Sequence, residues 1–181
     1  PEMPLSPLAV AGYLAFGCLV GSYGTLIGAG GGFLVVPALL FLGGVPHEVA
    51  VGSSLVVVLF NAASGTWAYA RRRLVDWRTA LLFAAATVPG SILGPRLLPH
   101  IPQAAFLTAF GVLLVAVAAW LTWRPSAPEG LAFPSLTGAR LGWGMGLSFL
   151  VGFLSSMLGI GGGVIHVPVL IYALGFPAHL A

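Results

Sequence analysis

Two glycine clusters inside otherwise apolar sequence are the residues of this chain best suited to bind a ligand. The first lies in GSYGTLIGAGGGFLVVPALLFLGGVPHEVA, residues 21–50, and the second in GFLSSMLGIGGGVIHVPVLIYALGFPAHLA, residues 152–181. The two segments align without a gap at an offset of 131 residues, and each cluster is followed by a matching proline, Pro37 or Pro168. Glycine-interrupted hydrophobic segments at corresponding positions of two halves are typical of transporter substrate sites.

A glycine break in a membrane helix frees backbone N–H groups that hydrocarbon cannot satisfy, so it belongs inside the bundle or beside water. The apolar arm after each cluster would direct a helix N-terminus, with its partial positive charge, toward the break. Two such N-termini would bind an anion without any fixed cation. Alternatively, the glycines only allow helices to pack closely, which the spacing of Gly28 and Gly32 also fits.

Composition places these clusters in a membrane protein. Charged residues make up 6% of the chain, against about 25% in soluble domains, and the mean hydropathy is +1.04. The seven basic residues are all arginines, and four of them lie close together at positions 71, 72, 73 and 78. A short arginine-rich loop predicts a cytoplasmic turn rather than a nucleic-acid patch. The single cysteine, Cys18, excludes an internal disulfide.

Hydropathy predicts an all-α, polytopic bundle of two homologous repeats with glycine-broken helices or re-entrant arms. The expected spans are 8–27, 47–69, 79–98, 103–123 and 140–158, and the expected arms are 33–42 and 164–173. The first repeat, 1–124, then has four spans and a broken arm, 125–139 is a cytoplasmic linker, and 140–181 starts a second, incomplete repeat. If each span and the arm that follows it cross the membrane once together, each repeat has four crossings and the two repeats are parallel. If they cross twice, the number of crossings is no longer even and the repeats are not parallel.

At these motifs the chain resembles the sulfite exporter TauE/SafE family of membrane permeases. The resemblance rests on GAGGG (28–32) with Val36-Pro37, GIGGG (159–163) with Val167-Pro168, PHEVAVGSS (46–54) and PGSILG (89–94). It implies a multi-pass permease of the bacterial inner membrane with two homologous halves. Such a protein would move small sulfur-containing or organic anions, such as sulfite or sulfonates.

The candidate substrate-binding residues are the glycines of both clusters, two serines of the second span and one histidine of the second arm. They are Gly28, Gly30, Gly31, Gly32, Ser53, Ser54, Gly159, Gly161, Gly162, Gly163 and His166. His166 would bind an anion or relay a proton, or alternatively would bond to a neighbouring carbonyl. The serines, and Asn61 on the same helix face as Ser54, would serve as ligands or as interhelical hydrogen bonds. His47 is expected at the surface and Glu48 at a helix N-terminus.

The function predicted from these features is secondary transport of small anions, with the anion and the lipid bilayer as partners. A Walker loop, a metal-ligand cluster, an acid pair and a nucleophile triad are all missing from the sequence. We therefore expect no catalysis, no cofactor, no metal and no nucleic-acid partner; a homodimer is possible. The alternatives are a passive anion channel and a membrane-embedded enzyme or assembly factor that uses His166.

Overall fold

The computed structural model describes residues 6–27, 30–123 and 138–174. Within these ranges the chain forms seven α-helices, one 3₁₀ turn and no strand. The helices are α1 (Pro7–Ile27), α2 (Gly32–Phe41), α3 (His47–Arg71), α4 (Trp77–Leu97), α5 (Gln103–Trp123), α6 (Ala139–Leu158) and α7 (Gly163–Leu174), and the 3₁₀ turn is Leu98–His100. The predicted all-α fold is confirmed, and the predicted ends differ from these bounds by at most two residues. The linker predicted at 125–139 lies almost wholly outside the described residues.

Four of the described helices are long and apolar enough to cross a membrane: α3, α4 with its 3₁₀ turn, α5 and α6. Large apolar side chains cover their outer faces; Phe60 and Val115, for example, are 71% and 69% exposed. Such exposure would be unfavourable in water, whereas lipid tails are as apolar as these side chains. The fold is therefore that of a polytopic membrane protein.

The turn between α3 and α4 ends at a side-chain cap. The Asp76 carboxylate accepts a hydrogen bond from the Thr79 hydroxyl at 2.5 Å and another from the Arg78 N–H at 3.2 Å. The Thr79 bond is the main cause that lowers the pKa of Asp76 below its ordinary value. The ionised carboxylate at this position also interacts favourably with the positive N-terminal end of α4. The cap thus fixes where α4 begins, directly after the arginine-rich turn.

The first arm, α2, turns back beside α1 and then runs antiparallel to α3. A Cβ added at Gly31 would lie 2.9 Å from the Val20 side chain, seven residues before the end of α1. At the start of α2, Gly30 lies against Val58, while a tight turn at residues 42–46 joins the other end of α2 to α3. The pair α1–α2 is therefore a helical hairpin and not a single crossing.

The second arm, α7, runs in the direction opposite to α2. Ile160, at the second break, shares a buried cluster with Phe106 near the start of α5. Further along α7, the Tyr172 ring lies 6.2 Å from the ring of Trp120 near the end of α5. Thus α7 is parallel to α5, and α5 is parallel to α3 because α4 returns between them. The parallel arrangement of repeats considered from the sequence does not fit these directions: the two arms align in sequence but run antiparallel to each other, as inverted repeats would.

Glycines let α4 and α6 pack backbone to backbone, which makes theirs the closest interhelical contact among the described helices. A Cβ added at Gly90 would collide with the Phe149 carbonyl oxygen, and one at Gly152 would lie 2.5 Å from the Thr87 carbonyl oxygen. Small residues allow such approach, and close approach is the main source of helix association in lipid. Because α4 lies in the predicted first repeat and α6 in the predicted second, this contact would join the two repeats.

Replacing Gly90 with alanine should separate α4 from α6. The added methyl group has no free space, so we expect the free energy of unfolding to fall by about 1–3 kcal/mol. Denaturation of the purified protein in detergent micelles would measure the loss. Gly111→Ala on α5 is the matched control, because a Cβ there meets nothing within 4 Å. Equal stability of the two variants would contradict the tight α4–α6 contact.

Candidate substrate site

The first break joins α1 to α2 through backbone that glycine adopts readily. Gly30 and Gly31 have φ angles of 70° and 80°, in the left-handed region that disfavours side chains. The N–H of Gly30 donates to the Gly24 carbonyl at 3.2 Å, and the Gly31 carbonyl accepts from the N–H groups of Leu34 and Val35. The arm therefore starts on a cap made of backbone alone.

The second break repeats this design. Gly159 and Gly161 have φ angles of 68° and 84°. The N–H of Ile160 donates to the Ser155 carbonyl at 3.0 Å, and the Gly162 carbonyl accepts two N–H bonds from the first turn of α7, at 3.2 and 2.7 Å. Both breaks thus contain left-handed glycines, and both arms use the carbonyl of a glycine as their first acceptor.

The two breaks touch each other. A Cβ added at Gly32 would collide with the Gly159 carbonyl oxygen and lie 2.7 Å from the Ile160 carbonyl oxygen. Ser54 of α3, which is completely buried, joins the contact: its hydroxyl lies 2.8 Å from the carbonyl oxygens of both Gly159 and Val51. One hydroxyl proton serves one acceptor at a time. The breaks, one from each predicted repeat, therefore meet beside α3.

The arms direct the positive ends of two helices toward this contact. Among the described residues, no backbone acceptor faces the N–H groups of Gly32 and Phe33 in α2, or of Gly163 and Val164 in α7. Unpaired N–H groups of a first helical turn carry partial positive charge and favour anions. The start of α2 lies against the carbonyl oxygens of Gly159 and Ile160, which follow the end of α6, and α7 begins three residues later at Gly163. Both arms thus begin with N–H groups that have no backbone partner among the described residues, next to the contact of the breaks.

Comparison with known proteins identifies the family of the chain. Residues 13–181 match the sulfite exporter TauE/SafE family. The chain belongs to this family. The resemblance predicted from the glycine motifs is therefore confirmed, and the chain is part of a multi-pass membrane protein of this family.

Several relatives carry the description "probable membrane transporter protein". YunE of Bacillus subtilis (strain 168) is 30% identical over 93% of this chain and 69% of its own length. A protein of Xylella fastidiosa (strain Temecula1) is 35% identical over 89% of this chain and 62% of its own length. MJ0441 of Methanocaldococcus jannaschii is 31% identical over 87% and 60%. The chain thus spans 60–69% of the length of these relatives. No solved structure gives a significant match.

His166 of this TauE/SafE-family chain lies in the first turn of α7, next to the second break. One ring nitrogen, Nε2, is 3.2 Å from the Ser148 hydroxyl of α6, and the imidazole meets the Phe83 ring of α4 edge to face at 6.1 Å. Its partner is a hydroxyl, not the carbonyl considered from the sequence. The described residues contain no group of three His, Cys, Asp or Glu side chains that could hold a metal ion.

The other predicted site residues fall into different environments. Ser53 points to the exposed side of α3, while its neighbour Ser54 is buried at the contact of the breaks. Gly162 has open space around it, since a Cβ there would meet nothing within 4 Å. Gly28 lies outside the described residues. The structure therefore brings together Gly32, Gly159 and Ser54, and it leaves Ser53 apart.

His47 is not at the surface, contrary to the sequence-based expectation. It is 6% exposed, its ring lies 5.1 Å from the Phe106 ring, and Nδ1 is 3.4 Å from the Glu48 carboxylate. The tight turn between α2 and α3 brings the start of α3 against α5, which covers the imidazole. Nothing in the local sequence reports this, because Phe106 is far along the chain. Glu48 lies in the first turn of α3, as predicted.

Replacing Ser54 with alanine should loosen the contact between the breaks. The Gly159 carbonyl would lose its hydroxyl donor in a buried place, and we expect a loss of about 1–3 kcal/mol in the free energy of unfolding. Ser53→Ala, one residue away on the exposed side, should leave stability unchanged. Thermal unfolding in detergent would compare the two variants, and an equal effect of both would argue against the Ser54 contact.

Proposed function

We propose that this chain forms the substrate pathway of a secondary transporter of small anions, with sulfur-containing anions such as sulfite or organosulfonates as substrates. The observation that carries the proposal is the contact of the two glycine breaks, at which two antiparallel arms begin. The description of the family as sulfite exporters supports the substrate class. The anion would be held by the N–H groups that begin α2 and α7.

A site built from backbone N–H groups suits a transporter because its affinity for the anion is low enough to allow release. Each helix N-terminus carries roughly half an elementary charge, so the pair partly neutralises a small anion. Glycine leaves room for the anion to approach these N–H groups. In this proposal Gly30, Gly31, Gly32, Gly161, Gly162 and Gly163 line the substrate, and Ser54 holds the two breaks together.

The inverted repeats supply a route for alternating access. In transporters with this symmetry, one half rocks against the other around a fixed central site. Here the breaks lie between the halves, so a small relative movement would open the site to one side or the other. A passive channel with the same site would not accumulate substrate. Uptake of labelled sulfite against a gradient in proteoliposomes separates the two functions.

Replacing Gly162 with valine should abolish transport without unfolding the protein. Because nothing lies within 4 Å of a Cβ at this position, the side chain fits, but it occupies the space next to the N–H groups of α7. We expect sulfite flux in proteoliposomes of the full-length protein to fall at least about tenfold, the loss of one good hydrogen bond to a charged group.

Gly52→Val on α3 is the control, since its Cβ also meets nothing within 4 Å and lies away from the breaks. Gly31→Val is a poorer test, because its left-handed backbone and the nearby Val20 side chain would strain the fold. Normal flux in Gly162→Val, at a normal protein level, would reduce the glycines to packing residues.

His166 would couple protons to this transport. We expect His166→Ala to remove the pH dependence of net flux while exchange of one anion for another continues, because exchange needs no proton. Parallel flux assays between pH 5 and 8, the range in which histidine ordinarily titrates, would measure both activities. If net flux keeps its pH dependence, His166 serves only to join α7 to Ser148.

A further inference from the structure

The turn between α3 and α4 concentrates positive charge at one end of the helical bundle. Arg71 ends α3, Arg72 and Arg73 begin the turn, and Arg78 lies in the first turn of α4; all four are exposed. Asp76 is the only acidic residue between positions 49 and 128, and its carboxylate caps α4 and interacts with the charge of Arg78. In the part of the chain that the structure describes, the other three arginines have no carboxylate partner.

Arg73 has the backbone conformation that glycine usually provides. Its φ angle is 57°, and among the described residues it is the only one other than glycine with a positive φ. The N–H of Arg73 donates to the Ala70 carbonyl at 3.0 Å and that of Leu74 to the Tyr69 carbonyl at 3.2 Å, the pattern with which a glycine commonly ends a helix. The chain holds 26 glycines, yet an arginine occupies this position. Because the backbone here disfavours a side chain, the turn itself does not explain the arginine.

Aromatic side chains place these arginines at the surface of the bilayer. Trp67 lies one helical turn before Arg71, and the guanidinium carbon of Arg71 is 5.9 Å from the centre of the Trp67 ring. Trp77 begins α4 on the other side of the turn, and both indoles are exposed. Exposed tryptophans at the ends of membrane spans lie at the level of the lipid headgroups. The arginines between these two tryptophans therefore lie at the level of the headgroup phosphates.

We propose that this arginine turn, residues 71–78, binds the headgroup phosphate of an anionic phospholipid, with Arg72 and Arg73 as ligands. A guanidinium group presents paired N–H donors that match two phosphate oxygens. Clusters of basic residues directly beside a membrane span recognise anionic lipids. The rule that basic loops stay in the cytoplasm accounts for arginines anywhere in this turn, but it does not account for one at the left-handed position. The proposal is independent of which substrate the protein moves.

Titration of the purified full-length protein with phosphatidylglycerol in detergent micelles tests the site. Native mass spectrometry would count the bound lipid, and thermal unfolding would measure the stabilisation. Arg73→Gly should bind this lipid at least about fivefold more weakly than the original protein. Without lipid, the same variant should unfold at an equal or higher temperature, because glycine suits the left-handed backbone. Arg72→Gln, at a residue with ordinary backbone, should weaken binding by a similar factor.

Arg96→Gln is the matched control, because Arg96 is an exposed arginine in the last turn of α4, at the other end of that helix. It should leave the affinity for phosphatidylglycerol unchanged, and phosphatidylcholine, which has no net charge, should bind more weakly to every variant. Unchanged affinity in both Arg73→Gly and Arg72→Gln would overturn the proposal. So would an equal loss in Arg96→Gln, which marks attraction by net charge alone. Equal stabilisation by inorganic phosphate would also overturn it, because the turn would then bind free anions rather than lipid.

Discussion

The contact of Gly32 with the carbonyls of Gly159 and Ile160 is the constraint on which the rest of the structure depends. It brings the start of α2 against the end of α6 at a distance that no side chain would allow. Ser54 can be buried there because it finds a carbonyl acceptor at the same point. The glycines of the clusters are thus not equivalent. Some have the left-handed backbone of a turn, and others allow the close approach of another segment. Gly162 does neither, so packing and backbone geometry do not explain why this residue is a glycine.

Inversion of the repeats gives this contact its electrostatic character. If the halves were parallel, both arms would enter the site from the same side of the membrane, with their helix dipoles aligned. With antiparallel arms, the proposed site would receive the positive ends of both helices from opposite sides. The α4–α6 contact fixes this geometry from outside, because it joins the two halves through backbone at Gly90 and Gly152. Close packing at the periphery therefore supports the site at the centre.

Periodicity and composition predicted the helices well, since a span needs about 20 apolar residues and each break is marked by glycine. The predicted α5, 103–123, has the observed bounds. The direction of the arms could not be predicted, because counting crossings does not distinguish a hairpin from a broken span; the contact of Gly31 with Val20 does. The burial of His47 and the pairing of Asn61 with Thr25 depend on residues 59 and 36 positions away in sequence. Such contacts leave no local signal.

The two halves carry different polar groups next to their breaks, and this difference bears on the direction of the proposed transport. Beside the second break, His166 pairs with Ser148, whereas the aligned residues of the first half are Val35 and Gly17. Beside the first break, Asn61 of α3 lies within hydrogen-bonding distance of the Thr25 hydroxyl. If both breaks bound an anion identically, inverted halves would make the two sides of the membrane equivalent. In the proposed transporter, a titratable imidazole beside one break would remove that equivalence, because protonation would strengthen binding at that break alone. Net export or uptake would then follow the proton gradient, while exchange would need only the shared backbone site.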